Sequence, residues 1–275
     1  VARTLLAKIY AEKPLRDYTK VIQYCDEVKE DGFDLVDDFS DLFGMNAAGT
    51  DAKMRNTKES ILEAQFTSGA GNWCTWMFGR DLVNWNNNFT WAKWVTPSRD
   101  LISAFKQEGD EVRFKESIVY YDCNWSNYYP SDNYPFMYKC RSANSSIIKY
   151  RYADVLLLKA EALIMQDTPD LEGAADIIDE VRDRAKLGAL PTSVRSNKNV
   201  LNALLKERRL ELAFEGQRWF DLVRLDKVEE VMNAVYAKDS GRKAQIYTFD
   251  KNSYRLPIPQ SVIDANDKIH QNPGY

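Results

Sequence analysis

Apolar residues recur at helical spacing near the start of the chain. In residues 1–31 they follow the i, i+3, i+4, i+7 pattern twice, which predicts two antiparallel helices. The two apolar stripes consist of Ala2, Leu5, Leu6 and Ile9, and of Tyr18, Val21, Ile22, Cys25 and Val28. Pro14 separates the two helices, and Gly32 ends the second. The N-terminal pattern therefore predicts a helical hairpin.

The same design recurs in residues 150–188. The first helix of this segment is apolar on two sides, which indicates that it is buried on both. Thr168 and Pro169 predict the N-cap and first-turn proline of the next helix, and Gly188 its C-terminal cap. This segment predicts a second hairpin.

The two predicted hairpins also resemble each other in sequence. Residues 26–29 read Asp-Glu-Val-Lys and residues 179–182 read Asp-Glu-Val-Arg, at the same place in the second helix of each pair. A third, less regular pair is predicted from Asn199 onward, with Gly216 between its helices. An internal repeat of helical hairpins is the signature of a tetratricopeptide-like stack, so the predicted fold class is mainly α.

The remainder of the chain is less periodic. Residues 1–43 and 147–235 are predicted to form the helical-repeat scaffold of a single unit. Residues 44–146 are rich in Gly, Asn, Ser, Tyr and Trp and predict an irregular, partly helical ligand-binding insertion, with one helical patch at 97–107. Residues 236–275 predict an irregular C-terminal tail.

Charge and composition exclude several classes of protein. The formal net charge is −4 and the pI is about 5.3, so the basic footprint of a nucleic-acid-binding protein is missing. The single histidine, His270, argues against a His-based metal cage and a His-centred catalytic site. Phosphate-loop, dinucleotide, nucleophile-elbow and zinc-protease motifs are absent, so no cofactor and no metal are expected. Carboxylates are plentiful, so the sequence leaves a glycosidase pair as an alternative, although no residue is singled out for it.

The beginning of the chain lacks the features of a signal peptide, and no apolar run approaches the length of a membrane-spanning helix. Its first residues read as the middle of an amphipathic helix without a cap. This indicates a sequence that begins partway through a longer protein, with any targeting segment upstream.

Aromatic residues supply the candidate binding chemistry. Five of the seven tryptophans fall between positions 73 and 94, interleaved with asparagines and charged residues. A flat aromatic ring stacks on the apolar face of a sugar, while amide, carboxylate and guanidinium groups bind its hydroxyls. The alternative is that these rings anchor an insertion that has few Leu or Ile residues of its own. The candidates here are Trp73, Trp76, Arg80, Asp81, Trp85, Asn86, Trp91 and Trp94.

A second candidate patch contains Trp125 and Tyr128, beside Tyr129, on a loop rich in Asn, Ser, Pro and Tyr. Rigid aromatic rings among small polar residues are typical of a recognition surface, although such a loop can also pack its own rings. Cys123 and Cys140 flank this loop, and a bridge between them in an oxidising compartment is one alternative to two free thiols.

The charged run at residues 206–212 predicts a structural ion network rather than a catalytic carboxylate pair. The expected pairs join Arg208 or Arg209 to Glu211, Glu215 or Asp221 across the helix pair.

The second half of the chain carries five distinctive segments in order. They are YRYADVLLLKAEA at 150–162, VRDRAKL at 181–187, ERRLELAFEGQRWFDLVR at 207–224, Ile-Pro at 258–259 and QNPGY at 271–275. Through these segments the chain resembles the SusD/RagB family. The resemblance is strong after residue 147 and moderate before it. Family members are usually much longer and begin with a lipidated cysteine, which this sequence lacks.

The resemblance implies a SusD-like fold and a surface glycan-binding subunit of a nutrient-uptake complex. Such a subunit captures an oligosaccharide or polysaccharide and passes it to a SusC-like TonB-dependent transporter. The resemblance also implies anchoring at the outer membrane of a Bacteroidetes-type bacterium through an N-terminal lipid, and no catalysis. The alternatives are a peptide- or protein-binding helical-repeat protein of the same complex type and a glycosidase.

Overall fold

The computed structural model describes residues 1–67, 69–74, 96–123, 128–195, 199–238 and 248–275. The chain divides into two compact units, Val1–Arg218 and Trp219–Tyr275. The prediction that residues 44–146 form the ligand-binding insertion and residues 236–275 the tail stays a prediction.

The described residues are mainly helical, as the sequence predicts. The helices are α1 (Ala2–Ala11), α2 (Tyr18–Glu30), α3 (Ser40–Phe43), α4 (Arg99–Glu108), α5 (Glu111–Ser117), α6 (Tyr152–Met165), α7 (Leu171–Arg184), α8 (Thr192–Arg195), α9 (Asn199–Glu211), α10 (Arg218–Arg224), α11 (Val228–Lys238) and α12 (Gln260–Asp264). Short 3-10 helices lie at Lys13–Leu15 and Lys251–Tyr254. The helix predicted at 97–107 is confirmed as α4 with slightly different ends.

In the part of the chain that the structure describes, four short strands accompany the helices, and the sequence pattern does not predict them. They are β1 (Ser60–Ala64), β2 (Ile118–Tyr121), β3 (Tyr134–Met137) and β4 (Ile147–Arg151). β1 pairs antiparallel with β4, and β2 pairs antiparallel with β3 to form a hairpin. Strands of four or five residues are too short to establish a clear alternation of apolar and polar positions.

Two of the predicted helical hairpins, α1–α2 and α6–α7, are confirmed within the first unit. α1 packs on α2, α6 packs on both α2 and α7, and α9 packs on α6 and α7. The resulting core surrounds α6, which is buried on most sides, as its apolar residues on two faces predict. Gly32, at φ +89°, adopts the left-handed conformation expected directly after α2.

The buried face of α1 differs from the predicted apolar stripe. Leu5 and Ile9 are exposed, whereas Thr4, Ala7 and Ala11 are buried against the neighbouring helices. Small side chains allow two helix backbones to approach closely, so the packed face is formed by the small residues rather than the large ones.

The predicted caps of α7 are wrong. Asp170 is the N-cap, because its Oδ1 accepts the backbone N–H of Gly173 at 2.9 Å. At the C-terminal end Lys186 adopts a left-handed φ of +61°, and the N–H of Leu187 donates to the carbonyl of Arg182. The helix therefore begins two residues later and ends earlier than Thr168, Pro169 and Gly188 indicate.

Replacing Asp170 by alanine is expected to lower the free energy of unfolding by about 1 kcal/mol, since the capping acceptor is lost. Thr168→Ala is the matched control and is expected to change it by less than about 0.5 kcal/mol, because Thr168 is exposed. Urea unfolding of the two variants compares the sites. A larger loss from Thr168→Ala than from Asp170→Ala would show that Thr168 is the N-cap.

The second unit is held by local polar contacts. The side chain of Asn233 on α11 both donates to the carbonyl of Phe249 and accepts its N–H, each at 2.9 Å. Tyr254 donates its hydroxyl to Glu229 at 2.5 Å. Within the described residues, no helix combines the length and the hydropathy that crossing a membrane requires.

Candidate functional site

An open groove of about 380 Å³ lies between the outer face of α4 and the loop that joins β2 to β3. Its lining residues are Arg99, Ile102, Ser103, Lys106, Tyr120, Tyr129, Pro130 and Asn133. Four of these residues follow one face of α4 at i, i+3, i+4 and i+7, so the helix forms one long side of the groove.

The sequence of α4 fixes which face points into the groove. Ser98 caps the helix by accepting the N–H of Leu101 at 3.1 Å. Leu101 and Phe105 are buried in a cluster that also contains Leu210 of α9. Because this apolar face packs inward, the polar face with Arg99 and Lys106 is left to line the groove.

Tyrosines build the opposite wall. The hydroxyl of Tyr129 donates to the carbonyl of Pro97 at 2.7 Å, which ties the β2–β3 loop to the residues just before α4. The rings of Tyr128 and Tyr129 meet edge to face with centroids 4.9 Å apart, and Tyr129 meets Tyr134 in the same way at 5.5 Å. These contacts give the wall a fixed aromatic surface.

Arg99 joins the two sides of the groove. Its guanidinium lies 4.1 Å from the ring centroid of Tyr128 and 4.6 Å from that of Tyr129, and it donates to the Tyr128 carbonyl. A guanidinium held over aromatic rings is oriented and partly desolvated. Arg99 and Lys106 give this part of the groove positive charge, and the described lining residues include no carboxylate.

The groove combines groups that can hold a polar ring compound. Tyr120 is half-buried against Phe114, with centroids 6.4 Å apart, and burial raises the pKa of its hydroxyl, which therefore stays neutral and able to donate. Asn133 is exposed and supplies an amide at the rim. Aromatic surface, amide and guanidinium together suit a sugar ring with its apolar face and hydroxyls.

Sequence reasoning missed Arg99, Tyr120 and Asn133. The amphipathic pattern of α4 indicates a polar face, but no sequence signal places that face opposite the β2–β3 loop. Tyr129 belongs to the second candidate patch that the sequence predicts, together with Trp125 and Tyr128.

A buried ion network stabilises the elements behind the groove. Its members are Glu59, Asp110, Arg113, Lys139, Arg151, Arg182, Arg184, Glu207, Glu211 and Glu215. Glu211 of α9 lies at its centre, with its carboxylate paired to Arg113 at 3.0 Å, to Arg151 at 2.5 Å and to Arg184. This arrangement confirms the prediction that the charged run serves a structural network.

The predicted partners of Glu211 and Glu215 are wrong. The cations that bind Glu211 and Glu215 come from β4, α5, α7 and residue 139 rather than from Arg208 or Arg209. Arg208 binds Asp154 of α6 at 2.8 Å, and Arg209 binds Asp100 of α4 at 2.6 Å. Partners distant in sequence are not visible in a local charge pattern.

The network also positions the groove. Arg113 at the start of α5 binds Asp110 and Glu207, each at 2.5 Å, and so fastens the turn between α4 and α5 to α9. Arg182 of α7 binds Glu108 at the end of α4 at 2.6 Å. The helix that forms one side of the groove is thus held at its end by paired charges.

Burial by itself would raise the pKa of Glu211, but Arg184, Arg151 and Arg113 outweigh it and hold the pKa well below its usual value. Glu211 therefore remains ionised at neutral pH.

Burial lowers the pKa of Lys139 to about 8, although its ammonium donates to Glu215 at 2.6 Å and to the Glu211 carbonyl at 2.8 Å.

Two of the sequence-predicted site residues lie within the described residues. Tyr128 does not line the groove but contacts Arg99 and Tyr129, which do. Trp73 is 73% exposed and is not among the described residues that line the groove. The other candidates lie outside the described residues; they are Trp76, Arg80, Asp81, Trp85, Asn86, Trp91, Trp94 and Trp125.

The cysteines are free thiols in this structure, so a bridge between Cys123 and Cys140 is not present. Cys123 is buried beside Tyr134 and Phe136, whereas the Cys140 thiol hydrogen-bonds with that of Cys74. Within the described residues, no group of three His, Cys, Asp or Glu side chains could hold a metal ion.

Comparison with known proteins adds a family match and two curated relatives. The model of the SusD family matches residues 129–275. SusD-like protein P38 from Formosa agariphila is 43% identical over 99 residues, which cover 34% of this chain and 19% of P38. SusD-like protein P2 from the same organism is 34% identical over 143 residues, which cover 49% of this chain and 27% of P2.

The fold matches solved structures over nearly the whole chain. Surface glycan-binding protein A from Bacteroides thetaiotaomicron superposes with a TM-score of 0.72 at 20% identity, over 98% of this chain and 62% of that one. Its complex with laminarihexaose superposes with a TM-score of 0.70 at the same identity and coverage. A laminarin-binding SusD-like protein superposes with a TM-score of 0.69 at 24% identity, over 100% of this chain and 62% of that one. The chain thus spans about three fifths of the length of these structures.

Proposed function

Because the chain belongs to the SusD family, we propose that it is the surface glycan-binding subunit of a nutrient-uptake complex. It captures an oligosaccharide and passes it to a SusC-like TonB-dependent transporter. It acts by binding alone, without catalysis. The observation that carries the proposal is the groove formed by α4 and the tyrosine-rich β2–β3 loop.

The groove supplies both kinds of contact that a sugar needs. Tyr120 and Tyr129 offer aromatic surface for the apolar face of a pyranose ring. Asn133 and Arg99 offer amide and guanidinium donors for its hydroxyls. Because the groove is open and shallow, it suits one part of a longer chain rather than a small enclosed ligand.

The structure describes residues at the start of the tryptophan-rich segment 73–94 and directly after its end. Trp73, at its start, is exposed. Two residues after its end, Thr96 shares a hydrogen bond with the Tyr134 hydroxyl at 3.3 Å, and Pro97 accepts the hydroxyl of Tyr129. The described residues that precede α4 therefore lie beside the aromatic wall, and on the basis of composition and sequence proximity we include the tryptophans of the segment in the proposed binding surface.

Two of the superposed structures have a stated glycan ligand, laminarin in one and laminarihexaose in the other. They favour a glycan over a peptide as the ligand class here. The chain covers only part of those proteins, so the identity of the glycan remains open to direct measurement.

Localisation follows from the same proposal. We place the subunit at the cell surface of a Bacteroidetes-type bacterium, anchored in the outer membrane by an N-terminal lipid. The gene next to it is expected to encode the SusC-like transporter, and co-purification of the two proteins tests that partnership.

Calorimetry against a panel of oligosaccharides and peptides tests the binding function. At least one oligosaccharide is expected to bind, and Trp73→Ala is expected to weaken that binding about tenfold, since an exposed ring loses its stacking contact. Trp85→Ala and Trp91→Ala extend the test along the segment. Binding of a peptide without any glycan would replace the proposal with the peptide-binding alternative, and unchanged affinity in all three variants would remove the segment from the site.

A further inference from the structure

Residues 71–74 are held against the turn that joins β3 to β4. The N–H of Asn72 donates to the carbonyl of Ala143 at 2.8 Å. Its side-chain amide donates to the carbonyls of Ser142 and Ala143 at 3.1 Å and of Ser145 at 2.8 Å. A buried asparagine with this many backbone partners fixes the position of the residues beside it.

Two thiols meet at this junction. The Cys140 thiol hydrogen-bonds to Asn72 Oδ1 at 3.5 Å and also shares a hydrogen bond with the thiol of Cys74. Cys140 is buried, whereas Cys74 is only half-buried and reachable from solvent. The remaining cysteines lie elsewhere, Cys25 in the scaffold core and Cys123 in the tyrosine cluster.

We propose that Cys74 and Cys140 form a cross-link site, a reversible disulfide that fastens the start of the tryptophan-rich segment to the β3–β4 turn. Hydrogen-bonded side chains on two segments that are already clamped together need little backbone movement to reach disulfide geometry.

The exchange reaction has a defined order. The hydrogen bond between the two thiols lowers the pKa of Cys74 to about 7, although burial raises it, so a large fraction is thiolate at neutral pH. The Cys74 thiolate attacks one sulfur of a low-molecular-weight disulfide such as oxidised glutathione and releases one thiol. Cys140 then attacks Cys74 of this mixed disulfide and releases the second thiol. Two cysteine thiols are oxidised and one disulfide is reduced to two thiols.

The cross-link encloses, in sequence, the residues that line the groove. Every described residue that lines the groove lies between positions 74 and 140 in the sequence. A disulfide that closes this segment restricts its unfolded conformations without altering the groove itself. Oxidation is therefore expected to stabilise the whole groove-bearing segment.

Thiol counting tests the cross-link. The wild-type protein is treated with oxidised glutathione, denatured and alkylated, and its free thiols are counted by mass. The wild type is expected to retain two free thiols and the control Cys25→Ala one. Cys74→Ser is expected to retain three, whereas Cys140→Ser is expected to retain two and to carry one glutathione on Cys74. Four free thiols in the wild type would overturn the proposal.

Peptide mapping of the oxidised wild type needs no variant and identifies the bridge directly. A linked peptide is expected to join Cys74 to Cys140, and one that joins Cys123 to Cys140 would overturn the proposal. Reduction is expected to lower the Tm of the wild type by about 5–10 °C. Reduction is expected to leave the Tm of Cys74→Ser unchanged, and an equal shift in that variant would also count against the cross-link.

Discussion

Replacing Glu211 by alanine is expected to lower the free energy of unfolding by about 3–5 kcal/mol. Glu211 is fully buried, and its carboxylate pairs with Arg113, Arg151 and Arg184. Removing it leaves three guanidinium groups without their shared partner in a region from which water is excluded. Urea unfolding monitored by circular dichroism measures the loss.

The matched control is Glu172→Ala at the surface. Glu172 pairs with Arg195 at 2.6 Å, but its side chain is 66% exposed, so its removal is expected to cost less than about 1 kcal/mol. If both variants lost the same small amount, the buried ion network would have no role in stability.

Acid is expected to act on the same network. The pKa of Glu211 and that of Glu215 are below the usual 4.5 in the folded protein, because their arginine partners outweigh the opposing effect of burial. A lowered pKa gives stability that is present above pH 4.5 and is lost as the pH falls toward the folded pKa. The stability difference between the wild type and Glu211→Ala should therefore narrow as the pH is lowered from 5 to 3.

In the groove, Tyr120→Ala is expected to weaken glycan binding by about 10- to 100-fold. An aromatic side chain that buries its surface against a ligand contributes about 1.5–3 kcal/mol, and each 1.4 kcal/mol is tenfold in affinity. Asn133→Ala is expected to weaken it by about 3- to 10-fold through the loss of a hydrogen bond. Calorimetry with the best ligand of the panel measures both.

Asn202→Ala provides the control, because Asn202 is exposed on α9 and does not line the groove. Tyr120 also packs on Phe114, so the fold of its variant is checked by urea unfolding. Asn133 is exposed and has no such packing role. Wild-type affinity for the glycan in both Tyr120→Ala and Asn133→Ala would show that the glycan binds away from this groove.

Much of the scaffold could be predicted from the sequence, because helix periodicity is a local property. The two apolar sides of α6 predicted its burial, and Gly32 marked the end of α2. The face of α1 could not be predicted, since large and small apolar residues lie on different sides and only the neighbouring helices decide which side is packed.

Less of the binding surface than of the scaffold could be predicted from the sequence. Aromatic composition pointed to Tyr128 and Tyr129, of which Tyr129 lines the groove and Tyr128 contacts it. Arg99 and Asn133 carry no aromatic signal and are distant from each other in sequence. The bridge between Cys123 and Cys140 was suggested by spacing alone, and the structure instead brings Cys140 next to Cys74.

The sequence by itself determined the helical repeat, the family and the kind of chemistry available for binding, because these depend on residue type and local spacing. The tertiary structure alone decided the partners, namely Arg113, Arg151 and Arg184 around Glu211, and the β2–β3 loop opposite α4. Both arrangements join groups that are distant in sequence. Charges attract and rings stack over a few ångströms, and chain folding rather than sequence spacing sets those distances.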